Sequence, residues 1–577
     1  MGVRVDAAAL SRGMVLLGVV GLLCTAVRAT PQATRLSPDL ARQARDFSHS
    51  SAMKAVIVQF QSGTADGRAV AEKVGGVFRR SLGATGMASL RVPYRSLAQL
   101  AARSDVAWVS PDRELEAHGD FDNVTLGADR VWSTFSNQGA GIRVAVLDTG
   151  ARDGGHSDWK KTSGSRVVGW KDFVSNQTSA YDDHGHGTHV AGIVMSNGDQ
   201  CGGVVTGVAP AAELVALKVL DSQGRGSVST VISALDWCVQ YRATYQIRVI
   251  NLSLGHTPGE GTGTDPLCAA VRRCVQAGMV VVCSAGNRGK DPAGAIRYGG
   301  ISCPGNEPSA ITVGALNTFA TGRRADDAVC SFSSRGPSYH DLHVKPDVVA
   351  PGNKIDSMAS DSSVLHQTFP GNRVDPPANQ VGQGNYFRLS GTSMAAPQVA
   401  GVAALMLKAR PTLTPNAVKA ILMFTAQKLA LRDNAGVLLR TGLSRLTQGA
   451  GSVNALAAVD LASRVDTTKS VGSTWITGAL AGQTTLSGYT FPWSREVLHK
   501  NQVLWGDAVL AVRQNLWGNT VLWGDTVLWG DTVLWGDNSV AGDTVLWGDT
   551  VLWGDTVLWG DTVLWGNVNI QTLVHGD

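Results

Sequence analysis

Net charge, long apolar runs and closely spaced cysteine pairs are all scarce in this chain of 577 residues. The formal charge of +4 is small for such a length, so the composition indicates neither nucleic acid nor a membrane surface as a partner. The apolar run 14–23 is too short to cross a bilayer. No CxxC spacing occurs, and the sequence therefore predicts no zinc site.

The N-terminal segment has the pattern of a secretion signal. Arg4 and Arg12 precede the apolar run, and Val27-Arg28-Ala29 follows it. We therefore expect a signal peptide over 1–29, with cleavage after Ala29, and a secreted, extracellular mature protein.

Besides Cys24 in the predicted signal peptide, the chain has seven cysteines, which lie between positions 201 and 330. Because disulfides form in exported proteins and the number is odd, at least one thiol should stay free. Cys283 lies in an apolar run and is the predicted free thiol. Cys268 and Cys274 are six residues apart on one predicted helix, so their side chains diverge and should not pair. The sequence leaves the remaining pairings open.

The apolar patterns predict two folded parts. Strands over 54–60 and 106–112, with helix-like segments between them, indicate a small α+β unit. Downstream, continuous apolar runs are typical of parallel strands that are buried on both faces. These runs cover 142–147, 214–220, 249–252 and 279–283, and Asp265-Pro266 opens a helix between the last two. The alternation predicts an α/β sheet whose functional groups gather at the carboxyl ends of its strands.

Polar residues with catalytic potential follow these runs. Asp148 ends the first run and Asn287 comes just after the last, although an Asp before Gly or an Asn after a strand can simply form a turn. His186 lies in the Gly-rich segment 182–192. Two metal ligands on one helical face would be four residues apart, and His186 and His189 are three apart with no Glu between them, so a single general base fits better. Ser393 begins a strongly apolar helix, where it is either a cap or an exposed nucleophile.

Together these motifs resemble the subtilisin-like serine proteases. The resemblance rests on Asp148-Thr149-Gly150, His186-Gly187-Thr188-His189, Ser284-Ala285-Gly286-Asn287 and Gly391-Thr392-Ser393-Met394-Ala395-Ala396-Pro397, in the family's order of Asp, His and Ser. It implies Ser393 as nucleophile, His186 as base, Asp148 as the orienting acid and Asn287 as an oxyanion donor. Ser253, Leu254 and Gly255 resemble the edge that receives a peptide substrate.

The resemblance also implies an architecture. We expect a three-layer subtilisin-like α/β fold with a mostly parallel central sheet, a small α+β propeptide before it and a β-repeat tail after it. The predicted ranges are a signal over 1–29, a propeptide over 30–119 with an inhibitor-like core at about 53–117, a catalytic domain over 120–462, a linker over 463–502 and a tail over 503–577.

The family further implies a zymogen that removes its own inhibitory propeptide and then hydrolyses protein or peptide substrates. No cofactor is expected. Structural calcium is compatible with the resemblance, although no contiguous calcium loop is readable. A surface-assembly protein with vestigial proteolysis and a maturation protease with few substrates stay open as alternatives.

The tail repeats Thr-Val-Leu-Trp-Gly-Asp with a period of six residues. A helix would spread the Trp residues around its surface and place a Gly in every unit, whereas a strand keeps each position on one face. We therefore predict repetitive β-structure, with a disordered or edge-associating tail as the alternative. Residues 515–577 contain eight Asp and no Lys or Arg. This acidic, aromatic composition suggests binding to a polysaccharide or a cell envelope.

Overall fold

The computed structural model describes residues 35–61, 66–81, 87–111, 121–152, 156–161, 164–291, 294–374, 386–433, 436–469, 475–500 and 502–505. The predicted signal peptide and nearly all of the predicted repeat tail lie outside these ranges. Within them, no helix combines the length and the apolar character needed to cross a membrane. The chain divides into two compact units, Met1–Ala117 and His118–Asp577.

The first unit is a small α+β structure, as its apolar pattern predicted. Its antiparallel sheet has the order β2-β3-β1-β4, and its core includes Leu40, Val56, Leu90 and Val109. The strands are β1 (Met53–Phe60), β2 (Val77–Ser81), β3 (Met87–Pro93) and β4 (Val106–Pro111), and the helices are α1 (Pro38–Asp46), α2 (Gly67–Lys73) and α3 (Leu97–Ala101), with a short 3-10 turn at Tyr94–Ser96.

The second unit is built around an eight-stranded sheet of order β11-β10-β9-β8-β5-β7-β6, with β12 paired to β10. All pairs are parallel except β10–β11, which confirms the prediction of a mostly parallel sheet. The strands are β5 (Arg143–Asp148), β6 (Val167–Asp172), β7 (Glu213–Lys218), β8 (Ile247–Leu252), β9 (Val280–Ser284), β10 (Ile311–Asn317), β11 (Ala328–Val329) and β12 (Val348–Pro351).

Helices and shorter strands complete this unit. The helices are α4 (Phe121–Leu126), α5 (Ala128–Phe135), α6 (His186–Met195), α7 (Val228–Gln240), α8 (Arg242–Tyr245), α9 (Pro266–Gln276), α10 (Val364–Thr368), α11 (Thr392–Ala409), α12 (Pro415–Thr425), α13 (Thr441–Gln448) and α14 (Ala455–Ser463). A small sheet of order β13-β15-β14 joins β13 (Ile355–Met358), β14 (Arg373–Val374) and β15 (Tyr386–Leu389).

The central sheet is buried on both faces because its strands are apolar at successive positions. In β5, Val144 and Val146 pack into the core that contains α6 and α11, whereas Ala145 and Leu147 pack into the core that contains α7 and α9. Successive side chains of a strand point to opposite faces, so an uninterrupted apolar run serves two helical layers. The result is a three-layer α/β arrangement.

The segment predicted as a linker over 463–502 is more ordered than its composition indicated. Its described part forms two antiparallel hairpins, β16 (Gln483–Leu486) with β17 (Tyr489–Pro492) and β18 (Glu496–His499) with β19 (Gln502–Trp505). Trp475, Trp493 and Leu498 are buried in the same core as α11. The Gly, Thr and Ser content suggested a flexible connector, but a few large apolar side chains anchor the segment.

Candidate active site

Three neighbouring strands end at the site. Strands β9, β8 and β5 are adjacent and parallel, so their carboxyl ends lie at one edge of the sheet. Asp148 is the last residue of β5, Ser253 follows β8, and Asn287 lies three residues after β9. Helix α11 packs against β8 and β9 and brings Ser393 into its first turn. The fold therefore brings the predicted residues to one edge.

Asp148 and His186 form a directly hydrogen-bonded pair. His186 Nδ1 lies 2.7 Å from Asp148 Oδ1, and the carboxylate is fully buried while the imidazole is 19% exposed. Burial by itself lowers the pKa of His186, but the charge and hydrogen bond of Asp148, together with the charge of Asp182, outweigh it, so the pKa is raised. The pair therefore holds a partly accessible imidazole of increased basicity, with Nε2 as its remaining nitrogen.

Asp182 fixes the N-terminus of α6, where His186 lies. Its buried carboxylate accepts hydrogen bonds from the backbone N–H groups of His184, Gly185 and Thr188 and from the hydroxyls of Thr149 and Thr188. These bonds occupy the otherwise unpaired donors of a helix start. The Thr149 hydroxyl also accepts from the N–H of Gly187. Asp182 thus sets the position of His186 relative to the end of β5.

Pro397 lies inside α11. The helix begins at Thr392, so the missing N–H of Pro397 leaves the carbonyl of Ser393 without its partner one turn later. The hydroxyl of Ser253 donates to that carbonyl at 2.8 Å. An interior proline is accommodated because a side chain from the strand edge replaces the lost helical bond.

The side chain of Ser393 also contacts this edge. Its Oγ donates to the carbonyl of Ser253 at 3.1 Å, and among the described residues it has no hydrogen bond with His186. The backbone N–H of Ser393 belongs to the first turn of α11, where amide groups have no intrahelical acceptor. Ser393 therefore presents a hydroxyl and a free amide at the positive end of a helix dipole.

The carboxamide of Asn287 is oriented by Thr392. Asn287 Oδ1 accepts from the backbone N–H of Thr392 at 2.9 Å and from its hydroxyl at 3.0 Å. The same hydroxyl accepts from the N–H of Gly286 at 3.0 Å. With Oδ1 occupied, the NH₂ group of Asn287 is left as a fixed donor next to the start of α11.

The predicted substrate edge divides into two kinds of residue. Ser253 is buried, and its side chain and carbonyl are both engaged with Ser393. Leu254 is half-buried and Gly255 is exposed, and within the described chain their backbone groups have no backbone hydrogen-bond partner. Only these last two offer free main-chain groups to an incoming strand.

Comparison with known proteins agrees with this geometry. Residues 139–448 match the model of the subtilase family of peptidases, and subtilisin E of Bacillus subtilis (strain 168) is 33% identical over 390 residues, which cover 66% of this chain and 87% of that protein. The chain belongs to the subtilase family. Subtilases of this kind are subtilisin-like serine proteases.

Other relatives match this subtilase over shorter shares of their length. The serine protease AprX of Bacillus subtilis (strain 168) is 40% identical over 289 residues, which cover 49% of this chain and 61% of AprX. The extracellular serine proteinase of Thermus sp. (strain Rt41A) is 34% identical over 357 residues, which cover 60% of this chain and 72% of that protein.

The other two histidines of the 182–192 segment lie outside the Asp148–His186 pair. His189 is buried, with Nε2 directed at the carbonyls of Ile355 and Phe387, and burial followed by the charge of His186 lowers its pKa to about 3. Burial and the same neighbour also lower the pKa of His184. Both therefore stay neutral near pH 7, whereas the pKa of His186 is raised.

The acidic loop after β6 does not fit the structural calcium that the family resemblance allows. Asp172 accepts three backbone N–H groups and the hydroxyl of Tyr181, and Asp182 is occupied as described above. Asp183 instead pairs with Lys218 at 2.7 Å. Calcium needs free oxygen ligands, and donors already take up the carboxylates of this loop.

Sequence reasoning did not find the supporting roles of Thr149, Thr392 and the Ser253 hydroxyl. Each lies inside or directly beside a motif that was singled out, and each supplies a hydroxyl within two residues of a strand end or helix start. Short polar side chains at such positions commonly bond to nearby backbone groups. The location of these hydroxyls next to strand ends and helix starts was therefore the sequence signal that could have indicated their roles.

All seven cysteines of the second unit are buried thiols. Cys283 lies in β9 as a fully buried residue, where the sequence placed it, and burial raises the pKa of its thiol well above the ordinary value. Cys268 and Cys274 lie on α9 and have different partners, as their spacing predicted: Cys268 Sγ is 3.7 Å from Cys303 Sγ, whereas Cys274 Sγ contacts the carbonyl of Leu235.

Proposed function

We propose that this subtilase is a secreted serine endopeptidase that acts through Asp148, His186 and Ser393. The observation that carries the proposal is the buried 2.7 Å contact between Asp148 Oδ1 and His186 Nδ1, at the same sheet edge as the α11 start that holds Ser393. A carboxylate that orients an imidazole next to a helix-terminal hydroxyl is the arrangement that activates a serine nucleophile.

In the proposed reaction, the hydroxyl of Ser393 turns from the Ser253 carbonyl toward His186. Nε2 of His186 takes the hydroxyl proton while Oγ attacks the substrate carbonyl, and the carbonyl oxygen becomes an oxyanion. His186 then returns the proton to the leaving amine, which leaves an acyl-enzyme. Water, deprotonated by the same nitrogen, releases the carboxylic acid and restores Ser393.

The oxyanion would be bound by the NH₂ group of Asn287 and the backbone N–H of Ser393. Asn287 suits this role because Thr392 holds its carbonyl oxygen, so the donor needs little reorganisation when charge develops. Fixed donors of this kind are among the largest contributions to acyl-transfer catalysis.

The substrate would bind as an added strand along Leu254 and Gly255, whose backbone groups have no backbone hydrogen-bond partner among the described residues. Ser253 would act beside this strand by holding the start of α11 and, in the resting state, the nucleophile itself. We assign protein and peptide substrates.

The first unit would serve as an inhibitory propeptide that the enzyme cleaves from itself near residues 116–121. Its independent core supports a separately folded segment of the kind that family resemblance implies. The Trp-Gly-Asp tail, which lies outside the described residues, is proposed to retain the enzyme on a cell envelope or polysaccharide through its aromatic side chains.

The test compares the full-length chain with Ser393→Ala and with a control, Ser390→Ala, at an exposed serine three residues away. Wild type and control should react with a fluorophosphonate probe and hydrolyse casein, and Ser393→Ala should lose the label and about 10⁶-fold in turnover. Labelling or full turnover of Ser393→Ala would overturn the assignment.

The same three chains test self-processing when their masses are followed over time. The N-terminal segment should be lost from wild type and Ser390→Ala only. Equal loss from all three chains would contradict self-cleavage while leaving the peptidase assignment intact.

The tail is tested by measuring how much of the full-length chain is retained on insoluble cell-wall polysaccharide, compared with a chain that ends at Trp505. Equal retention of the two chains would exclude the proposed anchor.

A further inference from the structure

Three side chains from distant parts of the sequence meet beside the substrate edge. The ligand-type atoms of His256, Asp265 and Cys303 all lie within 4.8 Å of one another, and this is the one group of its kind among the described residues. His256 follows Gly255, Asp265 caps α9, and Cys303 pairs with His256 through two backbone hydrogen bonds of 2.9 Å. We propose that this cluster binds a zinc ion.

The imidazole of His256 is arranged as a metal ligand. Its Nδ1 lies 2.8 Å from the carbonyl of Thr257, and a carbonyl can only accept, so Nδ1 carries the proton of the neutral ring. The lone pair is then on Nε2, which is buried and has no hydrogen-bond partner within the described structure. An N–H bond to a carbonyl that leaves the other nitrogen free is the arrangement found for histidines that bind zinc.

The other two atoms have the spacing of neighbouring ligands. Cys303 Sγ lies 3.5 Å from Asp265 Oδ1, which also accepts the N–H groups of Leu267 and Cys268, so a zinc ion would share this carboxylate with the cap of α9. A sulfur at about 2.3 Å and an oxygen at about 2.1 Å from a tetrahedral zinc are roughly 3.6 Å apart. Both residues are buried, so the cation would meet them with little competing water.

The chemistry of the set selects the metal. One thiolate and one carboxylate supply two negative charges, which match a divalent cation, and sulfur with imidazole nitrogen favours zinc over calcium or magnesium. Three protein ligands leave a fourth position for water. Sequence spacing gave no signal because the ligands come from three segments that only the fold brings together.

Cys268 supports the cluster as a hydrogen-bond partner of Cys303. Its Sγ is 3.7 Å from Cys303 Sγ and 3.4 Å from Asn306 Oδ1, and it lies outside the group of mutually close ligand atoms. The alternative fate of this pair is a disulfide between the two sulfurs.

The test uses the full-length Ser393→Ala chain, reduced and stripped of metal, because it cannot digest itself under the proposed mechanism. Titration with Zn²⁺ should bind one ion per chain and raise the Tm, and Co²⁺ should give a sulfur-to-cobalt charge-transfer band. Cys303→Ser should abolish the band, and His256→Ala should weaken binding at least tenfold. Asp265→Asn should do the same while still capping α9, since Asn is as good a helix cap as Asp.

Two further variants make the assignment specific. Both Cys268 and Cys274 lie on α9, and Cys274 bonds to the carbonyl of Leu235. Cys274→Ser and Cys268→Ser should each keep the cobalt charge-transfer band and one bound ion per chain. Absence of the band in the parent chain, or unchanged Co²⁺ binding in Cys303→Ser, would overturn the site. The site would also be overturned if protein purified without reductant had a mass lower by two hydrogens and the loss mapped to a Cys268–Cys303 disulfide.

Discussion

The active-site edge and the C-terminal hairpins, which are formed by β16–β17 and β18–β19, are both joined to the core of the second unit, but the sequence encodes these two structures differently. At the edge, each functional residue stands in a short contiguous motif, and residues of different motifs hold one another in the fold, as Thr392 holds Asn287 and Thr149 holds Asp182. The hairpins depend on isolated residues that bond to distant ones. Contiguous motifs can be recognised from the sequence, whereas contacts between isolated, distant residues cannot.

The hairpins are attached through a buried charge cluster and through the backbone. Glu496 lies 2.8 Å from Lys428 and 3.2 Å from Arg445. Burial would raise the pKa of Glu496, but these two cations lower it. The N–H of Ser494 donates to the carbonyl of Ala426, just after α12, and the N–H of Arg495 donates to the carbonyl of Phe424 within α12. The segment is therefore an integral part of the fold, even though its composition is that of a linker.

The comparison predicts that damage to the edge abolishes catalysis without unfolding the protein. Asp148→Ala should lower kcat by about 10⁴-fold, because the imidazole loses the partner that orients it. The measurement is turnover of a peptide substrate, with thermal unfolding recorded on the same samples. A loss of activity that followed a loss of folded protein would show that Asp148 is structural.

The opposite result is expected at the hairpins. Glu496→Ala removes the carboxylate that pairs with the buried Arg445 and the half-buried Lys428, which should lower the free energy of unfolding by about 3–5 kcal/mol. Turnover per folded molecule should stay unchanged. Glu260→Ala removes an exposed carboxylate and serves as the control. A stability change of less than ~1 kcal/mol for Glu496→Ala would mean that the hairpins are only loosely attached.

A smaller effect on catalysis is expected from the oxyanion donor. Asn287→Leu keeps the side-chain size but removes the NH₂ group, and it should reduce kcat by roughly 10²–10³-fold. Thr392→Val removes one of the two hydrogen bonds that hold the Asn287 carboxamide. It should reduce the stabilisation of the transition state by only ~1 kcal/mol. Equal losses in both variants would show that orientation by Thr392, and not donation by Asn287, is what matters.

These contrasts explain which parts of the molecule the sequence could predict. Four parallel strands follow from the apolar runs, and Asp148, His186, Asn287 and Ser393 were assigned through the short motifs that carry the family resemblance. The accommodation of Pro397 by the Ser253 hydroxyl depends on a contact across 140 residues. The cluster of His256, Asp265 and Cys303 and the burial of Trp475 likewise require the tertiary fold, which no local pattern encodes.

The smallest expected effect is on the pH dependence of catalysis. Asp148 raises the pKa of His186 despite its burial, because a neighbouring negative charge favours the imidazolium form. The base works only when neutral, so kcat/KM should fall tenfold per pH unit below a pKa that lies above the ordinary imidazole value of about 6.5. In Asp148→Asn, the acid limb of the residual activity should move to lower pH. An acid limb that did not move would show that Asp148 does not set the basicity of His186, even if it orients the ring.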